Sequence, residues 1–166
     1  KNIAPGFHRS FASEQWHWIG KERWDLAREE ARDVARWEQP LDILGTDIDH
    51  RCVELSKHNA TEARLADAIT FKQMQVKDFR SKKEYGILVG NPPYGERIGE
   101  KEKVKEIYRD LGKLFQLHET WSFYILTANE RFEKWFGKRA SKKRKLYNGN
   151  MKTDYYQFFG PRPPKR

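Results

Sequence analysis

The chain carries, at residues 85–94, the sequence Tyr-Gly-Ile-Leu-Val-Gly-Asn-Pro-Pro-Tyr. Tyr85 to Gly90 is a nearly unbroken apolar run, which is typical of a buried β-strand. Asn91 ends the run, and the two prolines after it fix two φ angles and remove two backbone N–H donors. These residues therefore predict a buried strand with a rigid, polar turn at its carboxyl end.

Two further strands are predicted upstream of this one. Leu41 to Leu44 is a short apolar run that ends in Gly-Thr-Asp-Ile-Asp at 45–49, and Ile69 to Val76 alternates in part and ends at Asp78. Asp49 can cap the segment between them, because residues 50–66 are mostly helix formers. This part of the chain therefore predicts a strand, a helix and a second strand.

Two amphipathic helices are predicted from apolar residues spaced three and four apart. The first helix lies in the first forty residues and ends at Pro40; its apolar face is formed by Trp24, Ala27, Ala31, Val34 and Ala35. The second follows the rigid turn; its apolar face, which we expect to be core, is formed by Val104, Ile107, Tyr108, Leu111, Leu114 and Phe115.

The C-terminal part predicts another buried strand and a hairpin. Trp121 to Thr127 is the strand, and Asn148-Gly149-Asn150 separates Leu146-Tyr147 from the strand-like segment Tyr155 to Phe159. Strands that alternate with helices predict an α/β fold with a doubly wound, mostly parallel sheet, here finished by a C-terminal antiparallel hairpin.

Composition limits the class of protein. The 166 residues fit one domain, and 33 Lys and Arg against 24 Asp and Glu give a net charge of +9, which favours a polyanionic partner, most simply nucleic acid. No apolar run is long enough to cross a membrane, and no signal-peptide pattern is visible at the start. The one cysteine, Cys52, excludes an internal disulfide framework. It fits a reducing compartment, so we expect a cytoplasmic protein.

The rigid turn has the chemistry to hold a planar amine. The Asn91 side-chain oxygen and the Pro92 carbonyl can accept the two N–H bonds of an exocyclic amino group, and the ring can stack on Tyr94. Pro93 fixes the path of the chain between them. These contacts would aim the nitrogen lone pair at an electrophile. The alternative is a strand-ending turn with no chemistry.

Two aspartates follow the upstream strands. Asp47 can accept both hydroxyls of a ribose, although it can equally be a turn or capping residue. Asp78 can accept from the exocyclic amine of an adenine with Phe79 beside the ring, or be an ordinary loop residue. Because ligands bind at the carboxyl ends of strands in such sheets, we expect Asp47, Asp78 and the turn at one edge.

A basic run near the C-terminus offers two interpretations. Six of the eight residues at 138–145 are basic: Lys138, Arg139, Lys142, Lys143, Arg144 and Lys145. Such a run can be a solvated face or can contact phosphates, and the overall charge favours phosphates. Arg97, three residues past Tyr94, is a further candidate for a phosphate contact. No metal site is predicted, because the histidines and Cys52 match no zinc spacing.

The sequence resembles a known family at two motifs. The phrase Asn-Pro-Pro-Tyr-Gly-Glu-Arg-Ile at 91–98 and Gly-Thr-Asp-Ile-Asp at 45–49 resemble class I S-adenosylmethionine-dependent methyltransferases. More closely, they are similar to the bacterial 23S rRNA guanine-N2 methyltransferases, in which a THUMP domain precedes the catalytic domain. The resemblance covers nearly the whole chain and implies a Rossmann-like sheet and S-adenosylmethionine as cofactor.

The resemblance also implies roles for single residues. Asp47, with Ile48 beside it, would bind the cofactor ribose. Asp78 and Phe79 would bind its adenine. Asn91, which would also contact the cofactor, would hold the target amine together with Pro92, Pro93 and Tyr94.

In that family a Gly-rich loop after the first strand comes just before an Asn-Ile-Ala-Pro-Gly phrase, which here occupies residues 2–6. No Gly-x-Gly motif occurs in this sequence. We therefore expect residues 1–166 to be the C-terminal part of a methyltransferase catalytic domain, without its first strand, its Gly-rich loop or a THUMP domain.

Together these observations predict methylation of the exocyclic amino group of a base in RNA, with guanine N2 in 23S rRNA the favoured target and no membrane partner. Two alternatives remain. One is an adenine-N6 methyltransferase acting on DNA, since the four-residue core of the motif is shared. The other is an RNA-binding module that has lost catalysis.

Overall fold

The structure is a computed structural model that describes residues 1–95 and 101–165, apart from the side chain of Asn148. The chain divides into two compact units. Unit 1 is Lys1–Gln73 and unit 2 is Met74–Arg166.

Unit 1 contains a parallel strand pair connected by a helix. In chain order it has a 3-10 helix (Ala12–Gln15), helix α1 (Lys21–Asp33), strand β1 (Ile43–Asp47), helix α2 (His50–Glu62) and strand β2 (Ile69–Gln73). The register places Ile43 opposite Ile69 and Asp47 opposite Gln73. As predicted, Asp49 caps α2, because its side chain accepts from the backbone N–H of Arg51.

Helix α1 ends earlier than predicted. The expected helix ran to Pro40, but α1 stops at Asp33 because the first residues of the chain take the next backbone groups. The side-chain amide of Asn2 donates to the Val34 carbonyl at 3.1 Å, and the N–H of Arg36 donates to the Lys1 carbonyl at 2.7 Å. These long-range bonds compete with helix continuation.

Unit 2 contains a four-stranded sheet. Its elements are a 3-10 helix (Val76–Asp78), strand β3 (Ile87–Gly90), helix α3 (Lys101–Leu117), strand β4 (Ser122–Thr127), helix α4 (Phe132–Phe136) and strands β5 (Lys142–Asn148) and β6 (Met151–Phe158). The strand order is β3-β4-β6-β5, with β3 parallel to β4 and the other pairs antiparallel.

The core of unit 2 lies between α3, α4 and one face of this sheet. The predicted α3 stripe is confirmed: Val104, Tyr108, Leu111, Leu114 and Phe115 are all buried, and Ile107 packs against them. The sheet contributes Phe123 and Ile125 from β4 and Tyr156 and Phe158 from β6. We call this the core face of the sheet and the opposite side the outer face.

Strand β3 is not buried on both sides as predicted. Leu88 and Gly90 pair with Phe123 and Ile125 on the core face, whereas Ile87 and Val89 lie on the outer face with 66% and 71% of their surface exposed. Successive side chains of a strand point to opposite faces, so the core covers every second residue. In β1, the consecutive residues Ile43 and Leu44 lie on opposite faces and are 47% and 39% exposed, so neither face of this strand is fully covered by the described residues.

The fold class is confirmed as α/β, with parallel strands followed by an antiparallel hairpin. The hairpin turn lies at Gly149-Asn150, within the predicted segment, although Asn148, which was predicted to be part of the turn, is the last residue of β5. The predicted second strand, however, ends at Gln73 instead of Val76, because residues 76–78 form the 3-10 turn and Val76 packs against the core of unit 2. Within the described residues, no helix is long and apolar enough to cross a membrane.

Candidate functional site

The Asn91–Tyr94 turn follows directly after β3 in unit 2. Asn91 and Pro93 are exposed, and Pro92 and Tyr94 are half-buried. The Tyr94 hydroxyl donates to Asn91 Oδ1 at 2.8 Å, so the turn brings these two predicted site residues into contact. Because an amide oxygen has two lone pairs, Oδ1 can still accept a second hydrogen bond.

A chain of hydrogen bonds holds the turn from the core side. The Tyr108 hydroxyl donates to the Pro93 carbonyl at 2.9 Å and lies 2.8 Å from Thr127 Oγ1. Since the single Tyr108 proton is used on Pro93, the Thr127 hydroxyl donates to Tyr108. Thr127 Oγ1 in turn accepts from the N–H of Asn129 at 3.1 Å.

Asn129 makes a second contact with the turn. Its side-chain Nδ2 donates to the Tyr94 carbonyl at 2.8 Å, and its Oδ1 accepts from the Arg131 N–H at 3.0 Å. The carbonyls of Pro93 and Tyr94 are therefore both occupied. The Pro92 carbonyl has no donor among the described residues, which leaves it available to a ligand.

Burial keeps the Tyr108 hydroxyl protonated. Tyr108 and Thr127 both have 0% of their surface exposed. The pKa of Tyr108 is raised above its ordinary value, chiefly because burial disfavours the phenolate, although the Thr127 hydroxyl partly offsets this. Tyr108 is therefore a hydrogen-bond donor throughout the physiological pH range.

These supporting residues were missed from the sequence. Tyr108 was assigned only to the α3 core, and Thr127 and Asn129 were assigned no role in the site. The available signal was weak: a tyrosine within an apolar stripe needs a partner for its hydroxyl, but its position does not identify that partner.

In unit 1, Asp47 is the last residue of β1 and is exposed. One carboxylate oxygen, Oδ1, accepts from the N–H of Asp49 at 2.8 Å, as a turn aspartate does. The other oxygen has no partner among the described residues. Ile48, which follows it, is 56% exposed. Asp47 thus makes a turn contact and retains one free acceptor at the strand end.

Asp49, two residues after Asp47, forms hydrogen bonds and an ion pair with Arg51. Asp49 Oδ2 lies 2.7 Å from Nη2 of Arg51. The pKa of Asp49 is lowered by hydrogen bonds from the side chain and backbone of Arg51. Asp49 is therefore a structural cap, in agreement with its predicted role.

Asp78 ends the 3-10 turn of unit 2 and is exposed, and its carboxylate has no partner among the described residues. Phe79 packs inward, and its ring centroid lies 5.5 Å from those of both His118 and Trp121.

His118 also holds the chain by hydrogen bonds. Its Nε2 accepts from the N–H of Ser81 at 3.2 Å, and its Nδ1 lies 3.0 Å from the Leu114 carbonyl. His118 thereby holds the segment that follows Asp78.

Most of the predicted basic run lies in strand β5. Lys142, Lys143, Arg144 and Lys145 belong to β5, and Lys138 and Arg139 precede it; all six are exposed. The Lys138 ammonium lies 4.5 Å from the centroid of the Phe115 ring. Arg97 lies outside the described residues. Among the described residues, no group of three His, Cys, Asp or Glu side chains could hold a metal ion.

The class defined by the fold is that of the α/β proteins to which solved structures described as methyltransferases belong. The chain belongs to the UPF0020 family, described as RMKL-like, methyltransferase domain, whose model matches residues 1–157.

Two relatives illustrate the family. The chain is 55% identical over 166 residues to a Bacillus subtilis (strain 168) protein named "Putative RNA methyltransferase YpsC", covering 100% of this chain and 43% of the relative. It is 32% identical over 166 residues to the "Ribosomal RNA large subunit methyltransferase K/L" of Hydrogenovibrio crunogenus (strain DSM 25203 / XCL-2), covering 95% of this chain and 22% of that protein.

Two solved structures share the fold. One is SMU.472, described as "a putative methyltransferase complexed with SAH", with TM-score 0.91 and 46% identity over 98% of this chain and 43% of that one. The other is "a predicted N6-adenine-specific DNA methylase" from Listeria monocytogenes str. 4b F2365, with TM-score 0.88 and 53% identity over 96% and 41% of the two chains. The chain thus spans less than half the length of these relatives.

Proposed function

We propose that the protein transfers a methyl group from S-adenosylmethionine to the exocyclic amino group of a base in RNA, with guanine N2 in 23S rRNA the favoured target. The observation that carries the proposal is the Asn91–Tyr94 turn. The Pro93 and Tyr94 carbonyls accept from Tyr108 and Asn129, whereas the Pro92 carbonyl and the Asn91 side-chain oxygen can still accept from a ligand.

The turn supplies positioning. Asn91 Oδ1 and the Pro92 carbonyl accept the two N–H bonds of the target amine, which leaves the nitrogen lone pair facing outward. The bond from the Tyr94 hydroxyl fixes the orientation of the Asn91 amide. The Tyr94 ring stacks on the target base, which must leave its helix to reach the turn.

When bound, S-adenosylmethionine would supply an electrophilic methyl group for the amine nitrogen and would leave as S-adenosylhomocysteine. Asp47 ends strand β1 and Asp78 ends a 3-10 turn, and each carboxylate suits one part of such a cofactor, because ribose hydroxyls and an adenine amine are hydrogen-bond donors. In unit 1, the open oxygen of Asp47 accepts from the ribose. In unit 2, the exposed carboxylate of Asp78 is an acceptor of the kind that an adenine amine needs. We expect the proton displaced from the target nitrogen to pass to solvent.

RNA is favoured as substrate by two observations. The chain carries a net charge of +9, and the basic run at 138–145 provides an exposed cationic strand for phosphates. The names of the Bacillus subtilis and Hydrogenovibrio crunogenus relatives also refer to RNA. The name of the 53% identical Listeria structure favours the second candidate, adenine N6 in DNA.

The test is incubation of the protein with cofactor labelled in the methyl group and either bacterial rRNA or DNA. Label in rRNA that digests to methylguanosine is the expected result. Label in DNA as methyladenine would select the second candidate. If neither nucleic acid is labelled, the proposed activity is excluded and an RNA-binding module remains.

A further inference from the structure

Strand β5 divides the basic run between the two faces of the sheet. Lys143 and Lys145 pair with Tyr156 and Asp154 and therefore lie on the core-face side of this edge strand. Lys142 and Arg144 alternate with them and lie on the outer face. Four consecutive basic residues thus form two separate pairs.

On the core-face side, Lys143 is occupied by contacts within unit 2. Its ammonium lies 3.6 Å from Asp154 Oδ2 and 5.2 Å from the centroid of the Tyr156 ring. Asp154 has only 12% of its side chain exposed, so Lys143 is its compensating charge. Lys138 makes a cation–π contact with the Phe115 ring, which belongs to the core of unit 2.

On the outer face, the two cations are available. Lys142 and Arg144 are exposed, and no carboxylate of the described residues lies within ion-pair distance of either. Residues two apart in a strand are about 6.7 Å apart, so both cations can contact the backbone of one nucleic-acid strand. They also lie at the sheet edge, where no further described strand covers them.

Aromatic rings lie beside this pair. Tyr155 is directly opposite Arg144 across the hairpin, and its ring stacks on Tyr124 of β4 at 6.0 Å with an interplanar angle of 23°. Phe159, 47% exposed, continues the row at 6.4 Å from Tyr124. Cations next to partly exposed aromatic rings are typical of surfaces that bind single-stranded nucleic acid.

We propose that Lys142 and Arg144 form the phosphate-contacting pair of this domain, with the outer-face aromatic row beside them, and that Lys143 and Lys138 serve the packing of unit 2. The proposal rests on the proposed function for the identity of the partner as RNA. The phosphate contacts are thus assigned to the outer face of the sheet and not to all six basic residues of the run at 138–145.

The test measures binding of a fluorescently labelled RNA hairpin across a series of salt concentrations, without cofactor. The double variant Lys142→Gln with Arg144→Gln is expected to weaken binding at low salt about tenfold or more. It should also reduce the slope of log affinity against log salt by about 1.5 to 2, because two phosphate contacts are lost.

Two control variants remove the same charge elsewhere. Lys138→Gln with Lys143→Gln is expected to leave the salt slope unchanged while lowering the thermal midpoint. Lys21→Gln with Lys57→Gln, whose exposed lysines pair with Asp25 and Glu54, should change neither the slope nor the midpoint. This third variant keeps the comparison valid if the second folds poorly.

An equal loss of slope in the outer-face variant and in the Lys21/Lys57 control would overturn the proposal, because net charge alone would explain it. An unchanged slope in the outer-face variant would overturn it as well. So would binding of anionic phosphatidylserine vesicles, but not of RNA, through Lys142 and Arg144. RNA binding through this pair without methyl transfer would support the surface and reject only the proposed activity.

Discussion

The hydroxyl of Tyr108 links the hydrophobic core of unit 2 to the turn that carries the candidate chemistry. It is buried, donates to the Pro93 carbonyl and accepts from Thr127. Truncating it leaves the Pro93 carbonyl and the Thr127 hydroxyl without this partner, and an unpaired buried group costs about 1–3 kcal/mol.

Tyr108→Phe is therefore expected to lower the free energy of unfolding by about 1–3 kcal/mol. It should also lower kcat while leaving KM for RNA nearly unchanged, because the turn loses its fixed geometry but not its RNA contacts. Urea melts and steady-state kinetics measure the two effects. Tyr147→Phe, at a tyrosine that is 69% exposed, is the matched control. A wild-type kcat in Tyr108→Phe would show that this bond does not position the turn.

Asp47 has a role that can be separated from its turn contact. Asp47→Asn keeps an oxygen for the Asp49 N–H but loses the negative charge that we assign to the ribose. A hydrogen bond to a charged group contributes about 1.5–3 kcal/mol, so we expect cofactor affinity to fall about 10- to 100-fold by calorimetry. Asp49→Ala is the control, since it should cost helix stability without this loss. Unaltered affinity in Asp47→Asn would refute the ribose assignment.

For single residues, the sequence predicted the turn that would contact the ligand but not the residues that hold this turn in place. The Asn91–Tyr94 motif is local and could be read directly. Its supports come from residues 15 and 35 positions away: Tyr108 bonds to Pro93, and Asn129 bonds to Tyr94. Such pairings depend on how α3 and β4 pack together.

At the scale of the elements, helices α3 and α4 pack so closely at Gly112 that there is no room for a side chain between them. A Cβ built on Gly112 of α3 would lie 2.0 Å from the Phe136 carbonyl oxygen at the end of α4. A side chain there must push the two helices apart, which displaces the core residues Phe132 and Phe136.

Gly112→Ala is therefore expected to destabilise the protein by at least about 1–3 kcal/mol, the usual cost of overpacking. Thermal melts measure this. Gly137→Ala tests backbone strain alone, because Gly137 has a φ of +81° but nothing within 4 Å of its Cβ position. We expect a smaller loss, about 1 kcal/mol. If Gly112→Ala costs no more than Gly137→Ala, then the tight α3–α4 contact does not limit stability.

Element length explains which helices the sequence predicted. The 17 residues of α3 make several turns, so the apolar stripe repeats often enough to be recognised. Helix α4 has only 5 residues and was not predicted, since a single turn shows no periodicity. Helix α1 was predicted with the wrong end, because it is terminated by long-range bonds, one donated by the Asn2 side chain to Val34 and one accepted by the Lys1 carbonyl from Arg36.

For the molecule as a whole, two buried tyrosines predict a loss of stability in alkali. The pKa of Tyr156 is raised chiefly by burial and also by the nearby Asp154 carboxylate, and that of Tyr108 is raised by burial. In the unfolded chain both groups titrate near pH 10. The folded chain retains these protons to higher pH, so the unfolded state loses its protons first.

Their contribution is thus fully present below about pH 10 and is lost as the pH rises through the folded pKa values. Urea melts at increasing pH should show a falling free energy of unfolding in this window. Tyr156→Phe should flatten the decline, and Tyr147→Phe should not. An identical decline in wild type and Tyr156→Phe would mean that Tyr156 does not contribute to it.

The central claim is that the Asn91–Tyr94 turn presents the exocyclic amine of an RNA base for methylation. The most direct test is mass spectrometry of nucleosides from 23S rRNA incubated with S-adenosylmethionine and either the wild-type protein or Asn91→Ala. We predict N2-methylguanosine with wild type and none with Asn91→Ala, while RNA binding by the two proteins stays equal. Equal methylation by both proteins, or a methyl group on any atom other than an exocyclic amine, would contradict the account.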